Sequence, residues 1–328
     1  MKGGSMHIAA ILPHTFLYGG VKRFLELGNI FISLGHKFTI YTPTGEAPVW
    51  YDFNGDVKDF KKLQEDKIDA LFFTETEFVD IALAANAKKR IFYYVYPKEN
   101  LKIIKKHPSI DVFANSTNLF EIALKRYNIH AIPAFGGVNL KYHFPKSSDN
   151  GFDSNPFTVM AYGRMARSRK GTKYVVKACE KLFKDGHNIE LLLFDTPVNS
   201  MMEEKNSKFK TFVPHSFIQN HPVEKNSELF HKANVFVSAE KNAGWANTAA
   251  EAMACAIPVI GTESGTKDFL FHEKTGLVVD RNSRSIAKSI LTLKNNPEYS
   301  SSLAQNGRRI IKVFSWENLA QRILQHLH

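Results

Sequence analysis

Short apolar runs alternate with longer amphipathic stretches along most of the chain. Residues 7–12 form the first apolar run, which predicts a buried strand. The pair Gly19-Gly20 then opens a stretch whose apolar residues recur at helical spacing as far as Leu34. Residues 38–41 form the next strand, so the pattern predicts that the chain begins with a β-α-β unit.

The same alternation continues to the end of the chain and predicts an α/β fold with two Rossmann-like domains. The polar run at residues 147–151 interrupts it and predicts a linker, which gives an N-terminal domain over residues 1–150 and a C-terminal domain over residues 151–312. Residues 313–328 follow the second sheet, and we expect their helix to pack back on the first domain. The other strands are predicted at residues 70–73, 90–96, 111–114, 157–162, 189–194, near Phe212, 235–237 and 258–260, with helices from about Lys170 and over residues 248–255 and 316–327.

Length, composition and charge narrow the class of protein. At 328 residues the chain is long enough for two domains, and 44% hydrophobic with 23% charged residues is typical of a folded protein. A net charge of +11 fits nucleic acid, an anionic membrane surface or a phosphorylated ligand. The basic residues are scattered, and no aromatic-rich RNA-binding signature accompanies them, so we predict no nucleic-acid partner.

Other sequence features concern the compartment and the thiols. No apolar stretch approaches the roughly 20 residues that cross a bilayer, and the start lacks a signal peptide, which predicts a cytoplasmic protein. Cys179 and Cys255 are too few for a disulfide framework and are expected to be buried thiols. Lys98, Lys102 and the pair Lys105-Lys106 could touch the inner face of an anionic membrane, although a solvated helix is the favoured explanation.

Three familiar ligand-binding motifs are missing. The chain has neither a strand-linked G-x-G-x-x-G nor a P-loop, which argues against a nicotinamide-dependent dehydrogenase. It also has no Asp-x-Asp pair, the usual carboxylate clamp for a metal-bound nucleotide sugar. We therefore predict no metal and no cofactor, so that protein side chains handle any phosphate charge.

The strongest local signal is a basic segment, residues 162–171, between a predicted strand and the next helix. Ligands of open α/β sheets bind at the carboxyl ends of the strands. Cations at a helix N-terminus oppose its partial positive charge, so the segment is unfavourable unless an anion joins it. We expect Arg164 and Lys170 to bind phosphate, whereas Arg167 and Lys173, like Arg169, are as readily explained as solvated surface residues.

The second signal is the segment from Ala243 to Ala254. Glu251 lies in a helix of very small residues between two apolar strands, where a buried carboxylate needs partners such as ribose hydroxyls. An exposed Glu on a surface helix is the alternative. The residues from Gly244 to Asn247 would present backbone N–H groups at a helix start, which is a ready anion site.

The third signal is weaker and lies in the first domain. Gly19 and Gly20 stand where the first strand meets the first helix and would let a ligand approach the backbone closely. A tight turn without a ligand explains the same two residues. His14, in the same loop, is a candidate for the acceptor side, although most histidines of this kind are surface or packing residues.

Taken together, these segments resemble glycosyltransferase family 4, the retaining enzymes in which two Rossmann-like domains face each other across a cleft (the GT-B type). The resemblance covers most of the chain. The matching segments, in chain order, are Gly19-Gly20-Val21, Ala114-Asn115-Ser116, Gly137-Val138-Asn139 before Phe144-Pro145, Gly163-Arg164 with Lys170-Gly171, Glu251-Ala252-Met253-Ala254 with Pro258-Val259, Gly265 with Thr275-Gly276-Leu277, and Phe314-Ser315-Trp316.

The resemblance implies a role for each candidate residue. Arg164 and Lys170 would hold the donor's diphosphate and stabilise the leaving group, and Glu251 would hold the nucleotide ribose. The remaining donor-binding residues would be Gly19, Gly20, Gly244, Trp245, Ala246 and Asn247.

The sequence departs from the family pattern at three places. Ala243 stands where the family usually has a second Glu, eight residues before Glu251. The His often found at the end of a first-domain strand is replaced around residues 94–96, and Ala256 replaces a usual Gly. These departures leave donor identity and activity less fixed than the fold.

The resemblance implies a metal-independent, retaining hexosyltransferase. The predicted donor is a nucleoside-diphosphate sugar, with a UDP-sugar favoured over a GDP-sugar, and the acceptor is a glycan, a lipid-linked or a small-molecule hydroxyl of cell-surface glycan or glycoconjugate synthesis. The main alternative is a non-catalytic nucleotide-sugar-binding subunit, for which Ala243 is the strongest argument.

Overall fold

The computed structural model describes residues 4–147 and 155–327, and the chain divides into two compact units. The first unit comprises Met1–Gly137 with Phe314–His328, and the second comprises Val138–Val313. All but the first residue of the predicted linker, residues 147–151, lies outside the described residues, and so does the predicted boundary at residue 150.

The first unit contains a parallel sheet of seven strands in the order β3-β2-β1-β4-β5-β6-β7. Its strands are β1 (His7–Ile11), β2 (Lys37–Thr42), β3 (Asp56–Asp59), β4 (Ile68–Phe73), β5 (Ala87–Tyr94), β6 (Ile110–Ala114) and β7 (Ile132–Pro133). Its helices are α1 (Gly19–Ser33), α2 (Val79–Ala84), α3 (Lys102–Lys105), α4 (Thr117–Tyr127) and, near the end of the chain, α11 (Trp316–Leu327).

Both faces of this sheet are buried, as the apolar runs predict. Successive residues of β1 enter two different hydrophobic clusters: Ile8 and Ala10 pack on one face, and Ala9 and Ile11 on the other. The two strands without a predicted counterpart, β3 and β7, lie at the edges of the sheet. Their sequences, DVKD and IP, carry too little apolar pattern for a strand prediction.

The last helix belongs to the first unit, which confirms the expected return of the chain. Trp316 and Leu319 of α11 are buried in the same cluster as Ile8 of β1. Gly137 makes this packing close, because its backbone has φ +127° and a Cβ there would lie 2.0 Å from the Trp316 ring. The N–H of Gly137 also donates to the carbonyl oxygen of Phe314 at 3.0 Å.

The second unit contains a parallel sheet of six strands in the order β10-β9-β8-β11-β12-β13. Its strands are β8 (Phe157–Tyr162), β9 (Ile189–Asp195), β10 (His215–Gln219), β11 (Val235–Ser238), β12 (Val259–Gly261) and β13 (Leu277–Val278). Its helices are α5 (Thr172–Lys184), α6 (Ser200–Ser207), α7 (Asn226–Phe230), α8 (Asn247–Ala254), α9 (Ser283–Lys294) and α10 (Pro297–Ile311).

One predicted strand of this sheet is misplaced. Phe212 lies in a bend, is 51% exposed and packs its ring on Phe183. The strand begins after Pro214, where His215 pairs with Leu191 of β9. The apolar doublet at residues 212–213 caused the error, because only Val213 of the two is buried.

The cysteines lie where the sequence places them. Cys179 on α5 and Cys255 just after α8 are both free and buried. Burial raises the pKa of the Cys179 thiol to about 12, so this side chain is an unreactive thiol at neutral pH. Over residues 4–147 and 155–327, none of the helices has the length and apolar character required to span a bilayer.

Candidate functional site

Arg164 lies just beyond the carboxyl end of β8, with its guanidinium held by the neighbouring strand. Its Nε donates to Oδ1 of Asp195 at 2.9 Å, and its Nη2 donates to the carbonyl oxygen of Thr196 at 2.6 Å. Asp195 is the last residue of β9 and is 1% exposed, while Arg164 is 5% exposed. The two side chains therefore form a buried ion pair.

Lys170 makes the matching pair on the other side of β8. It ends a short 3-10 helix, Ser168–Lys170, and its Nζ donates to Oε1 of Glu240 at 2.8 Å. Glu240 follows β11, the strand on the opposite side of β8 from β9, and is buried.

Tyr162, the last residue of β8, joins the two pairs. The Arg164 guanidinium carbon lies 5.2 Å and the Lys170 Nζ 5.1 Å from the centroid of its ring. Burial and the nearby Asp195 carboxylate raise the pKa of the Tyr162 hydroxyl well above its ordinary value, so it stays protonated. We call these five side chains the charge cluster: Asp195, Arg164, Tyr162, Lys170 and Glu240.

The charge cluster corrects one step of the sequence-based argument. That argument required an external anion to offset the cations of residues 162–171, but Asp195 and Glu240 already supply one carboxylate to each of Arg164 and Lys170. Of the remaining cations, Arg167 and Lys173 are exposed, in agreement with solvated side chains. Binding of phosphate by Arg164 and Lys170 stays a prediction.

Gly171 allows the Lys170 turn to pack closely against the second sheet. Its φ is +75°, and a Cβ there would lie 1.9 Å from the carbonyl oxygen of Ala239, so only glycine fits. Arg281, which the sequence analysis missed, fastens the same turn by donating to the carbonyl oxygens of Ala239 and Ser168, each at 2.7 Å. Because Arg281 lies 113 positions after Ser168, the sequence around either residue did not indicate this contact.

The turn before α8 is partly closed by its own hydrogen bonds. The N–H of Ala246 donates to the carbonyl oxygen of Gly265 at 2.9 Å, and the N–H of Asn247 donates to that of Trp245 at 3.2 Å. These two of the predicted anion-binding N–H groups are therefore already used inside the protein. Trp245 is buried and packs on Phe269, with ring centroids 4.8 Å apart.

Glu251 is buried, which rules out the alternative of an exposed residue on a surface helix. It is 6% exposed, and its Oε2 lies 3.9 Å from Nε2 of His143. The other ring nitrogen of His143 lies 2.9 Å from the carbonyl oxygen of Asn139. His143 is a protein neighbour that the sequence did not predict for this carboxylate, and the ribose role of Glu251 stays a prediction.

Ala243, where the family pattern has Glu, is buried in the turn before α8. It is 5% exposed, and its N–H donates to Oγ of Ser264 at 2.9 Å. Gly265 lies directly against it, because a Cβ on Gly265 would be 2.8 Å from the Ala243 Cβ.

The glycine pair of the first unit opens α1, as predicted. A Cβ on Gly20 would meet only Cγ2 of Val95, at 3.9 Å, so the fold itself does not require glycine there. His14 lies in the preceding loop, with its ring centroid 5.0 Å from those of Phe16 and Tyr18. Burial lowers the pKa of His14, which keeps it neutral at pH 7.

The first sheet also carries a carboxyl group that the sequence analysis missed. Glu75 follows β4 at the carboxyl edge of the sheet and accepts a hydrogen bond from the Thr74 hydroxyl. Burial, reinforced by the negative charges of Glu99 and Glu77, raises its pKa to about 7. Glu99 itself accepts hydrogen bonds from the N–H and the hydroxyl of Thr76, at 3.3 and 3.0 Å.

No group of three His, Cys, Asp or Glu side chains suited to a metal ion occurs among the residues that the structure describes.

A known protein family matches the region of the chain that carries the charge cluster. The family model described as Glycosyl transferases group 1 matches residues 145–310. The capsular polysaccharide biosynthesis glycosyltransferase CapM of Staphylococcus aureus is 28% identical over 171 residues, which are 50% of this chain and 44% of CapM. The chain thus spans under half the length of this curated relative.

Solved structures share the whole fold. A glycosyltransferase from Rickettsia africae superposes with a TM-score of 0.77 at 18% identity, covering 99% of this chain and 98% of that one. Anabaena Alr3699/HepE, in complex with UDP and glucose, superposes with a TM-score of 0.77 at 13% identity, covering 98% of this chain and 99% of that one. At these identities the likeness concerns the fold, two parallel-sheet α/β domains of the GT-B type.

Proposed function

Because the chain belongs to the glycosyl transferases group 1, we propose that it transfers a sugar from a nucleoside-diphosphate sugar to an acceptor hydroxyl. The observation that carries this proposal is the charge cluster, in which two cations, each paired with a buried carboxylate, lie at the carboxyl edge of a Rossmann-like sheet within the region that matches the family. The favoured donor is a UDP-sugar, supported by the UDP complex of the similar Anabaena protein.

In this proposal Lys170 is the cation that changes partner. Its side chain is 18% exposed, against 6% for that of Arg164, so Nζ can turn from Glu240 toward a phosphate oxygen. Arg164, fixed by Asp195 and Thr196, supplies positive charge without moving. Charges fixed in advance stabilise the negative charge that develops on the leaving diphosphate without reorganising during the reaction.

The finer assignments follow the resemblance to family 4. The reaction retains anomeric configuration and needs no metal, the second unit holds the donor, and Glu251 contacts the ribose. The first unit takes the acceptor, which is a glycan, a lipid-linked or a small-molecule hydroxyl, and His14 lies on that side.

A second candidate function rests on Ala243. Without a carboxylate at this position the chain could bind the nucleotide sugar as a non-catalytic subunit. Incubation with a panel of radiolabelled UDP- and GDP-sugars separates the two functions, because an enzyme transfers the sugar or slowly hydrolyses the donor. Clear binding with neither reaction supports the binding subunit.

Calorimetric titration with UDP tests the site directly. We expect binding to the wild type, and a loss of at least roughly tenfold in affinity for Lys170→Met, because one charge-assisted contact to phosphate is removed. Arg167→Ala is the matched control: it removes an exposed cation of the same segment and should leave affinity nearly unchanged. Equal affinities for wild type and Lys170→Met would refute the proposed site.

A further inference from the structure

A small cavity lies beside the charge cluster, between β11 and the start of α8. Its walls include both members of one ion pair, Lys170 and Glu240, and four hydroxyl-bearing residues, which are Tyr162, Thr172, Ser238 and Thr248. Ser238 ends β11 and is 4% exposed, whereas Thr248 belongs to the first turn of α8. The cavity is therefore bounded by polar groups from several separate elements.

Two of these four hydroxyls, those of Ser238 and Thr248, have unused hydrogen-bonding capacity. Oγ of Ser238 and Oγ1 of Thr248 are both buried, and neither has a hydrogen-bond partner among the described residues. A buried hydroxyl without a partner is unfavourable, because it has lost its bonds to bulk water. Two such groups on one cavity indicate that something polar occupies it.

The size of the cavity identifies the occupant. Its water-accessible volume is about 10 Å³. That is close to the minimum that holds one water molecule, and a buried water needs two to four polar partners.

We propose that this cavity binds one water molecule, which bonds to the hydroxyls of Ser238 and Thr248 and to the Lys170–Glu240 ion pair. The water satisfies both hydroxyls at once and connects the start of α8 to Lys170. Ser238 and Thr248 are then positioning residues: they act on a bound diphosphate through Lys170, without touching it. This consequence rests on the proposed function, whereas the water site itself does not.

The water site is tested first by a crystal structure of the nucleotide-free wild type at a resolution that shows ordered water. We expect a water within hydrogen-bond distance of both Ser238 Oγ and Thr248 Oγ1. The Thr248→Val variant keeps the volume of the side chain and removes the hydroxyl, so the water should be lost or displaced. A cavity without density in the wild type would overturn the proposal, whatever the protein binds.

The positioning role is tested by UDP titration. Thr248→Val should weaken UDP binding roughly fivefold, and Thr248→Ser, which keeps the hydroxyl, should restore wild-type affinity. Thr292→Val on α9 removes a threonine hydroxyl that bonds within its own helix and serves as the matched control.

The decisive measurement is a double-mutant cycle with Lys170→Met. If Thr248 acts through Lys170, the fivefold loss disappears in the Lys170→Met background. A loss of the same size in both backgrounds would overturn the positioning role and indicate a general effect on packing. If the wild type binds no UDP, the proposed function fails, and the crystal structure still decides the water site.

Discussion

At the carboxyl edge of the second sheet, Arg164 and Lys170 lie beside carboxylates of their own, whereas the same edge of the first sheet presents Glu75 beside Glu99. Both edges are built by parallel strands followed by loops and helices. The second holds charges in pairs, so its cations are kept in place before any ligand arrives. The first holds carboxyl groups close together, and one of them keeps its proton near neutral pH.

The difference shows that this fold fixes where a site lies, while a few side chains fix what it accepts. In the proposed function, the edge with paired cations exchanges one carboxylate for a phosphate. A protonated carboxyl group at the other edge can donate a hydrogen bond to a neutral hydroxyl or accept one from it. Four substitutions, two at each edge, test this contrast.

Arg164→Ala should have the largest effect on stability. It leaves Asp195, 1% exposed, without its guanidinium partner, and breaking a buried pair in this way costs about 3–5 kcal/mol. Urea denaturation should show the loss, and the exposed Arg167→Ala should unfold within about 0.5 kcal/mol of the wild type. If Arg164→Ala unfolded at the same urea concentration as the wild type, the ion pair between Arg164 and Asp195 would not be formed in solution.

Gly171→Ala should come next, at about 2–3 kcal/mol. It combines a φ of +75° with a Cβ that would lie 1.9 Å from the Ala239 carbonyl oxygen, so the Lys170 turn must move. Gly186→Ala is the matched control, because its φ is +85° but a Cβ there has open space. Equal losses for the two variants, measured by urea denaturation, would show that close packing of the turn is unimportant.

Glu75→Gln tests the first edge through pH. The folded-state pKa of about 7 lies above the ordinary 4.5, so the folded protein binds the proton more tightly. The contribution of Glu75 to the free energy of unfolding is fully present below pH 4.5 and is lost as the pH rises through 7. Because the side chain is partly exposed, we expect this loss to be roughly 2 kcal/mol.

The variant cannot ionise at position 75, so this loss should be absent from its curve. Thermal unfolding from pH 5 to 8 measures the difference, with the exposed Glu46→Gln in the same unit as a control that should keep the wild-type slope. Parallel curves for wild type and Glu75→Gln would contradict the raised pKa.

Gly20→Ala should have the smallest effect on stability. A Cβ there would meet only Val95 at 3.9 Å, and alanine is the better helix former, so stability should stay within about 0.5 kcal/mol or rise slightly. If a ligand approaches this backbone, sugar transfer falls while the fold is intact. Marked destabilisation would favour the alternative of a purely structural turn.

Much of the fold could be predicted because it depends on local pattern. The apolar runs that became β1, β4, β5 and β8 are buried on both faces and therefore nearly continuous in sequence. Edge strands such as β3 lack that signal, since only part of each side chain is covered. The edge strand β10 is also only partly covered, so the apolar doublet at residues 212–213 outweighed it in the prediction.

The candidate site was predictable only in part. Arg164, Lys170 and Glu251 could be selected because each is a charged residue at a strand end or among small apolar residues. Their partners could not be, because Asp195 reaches Arg164 across 31 positions and Glu240 reaches Lys170 across 70. Arg281, which holds the Lys170 turn from 113 positions away, gave no signal of its own either.

By itself the sequence determined the alternation of strands and helices, the two domains and the positions of two cations at one sheet edge, because periodicity and charge are properties of neighbouring residues. Only the tertiary structure decided that each cation has a carboxylate of its own, that Glu251 is buried near His143, and that Glu75 keeps a proton near pH 7. Those outcomes depend on burial and on distances between remote segments, which exist only once the chain has folded.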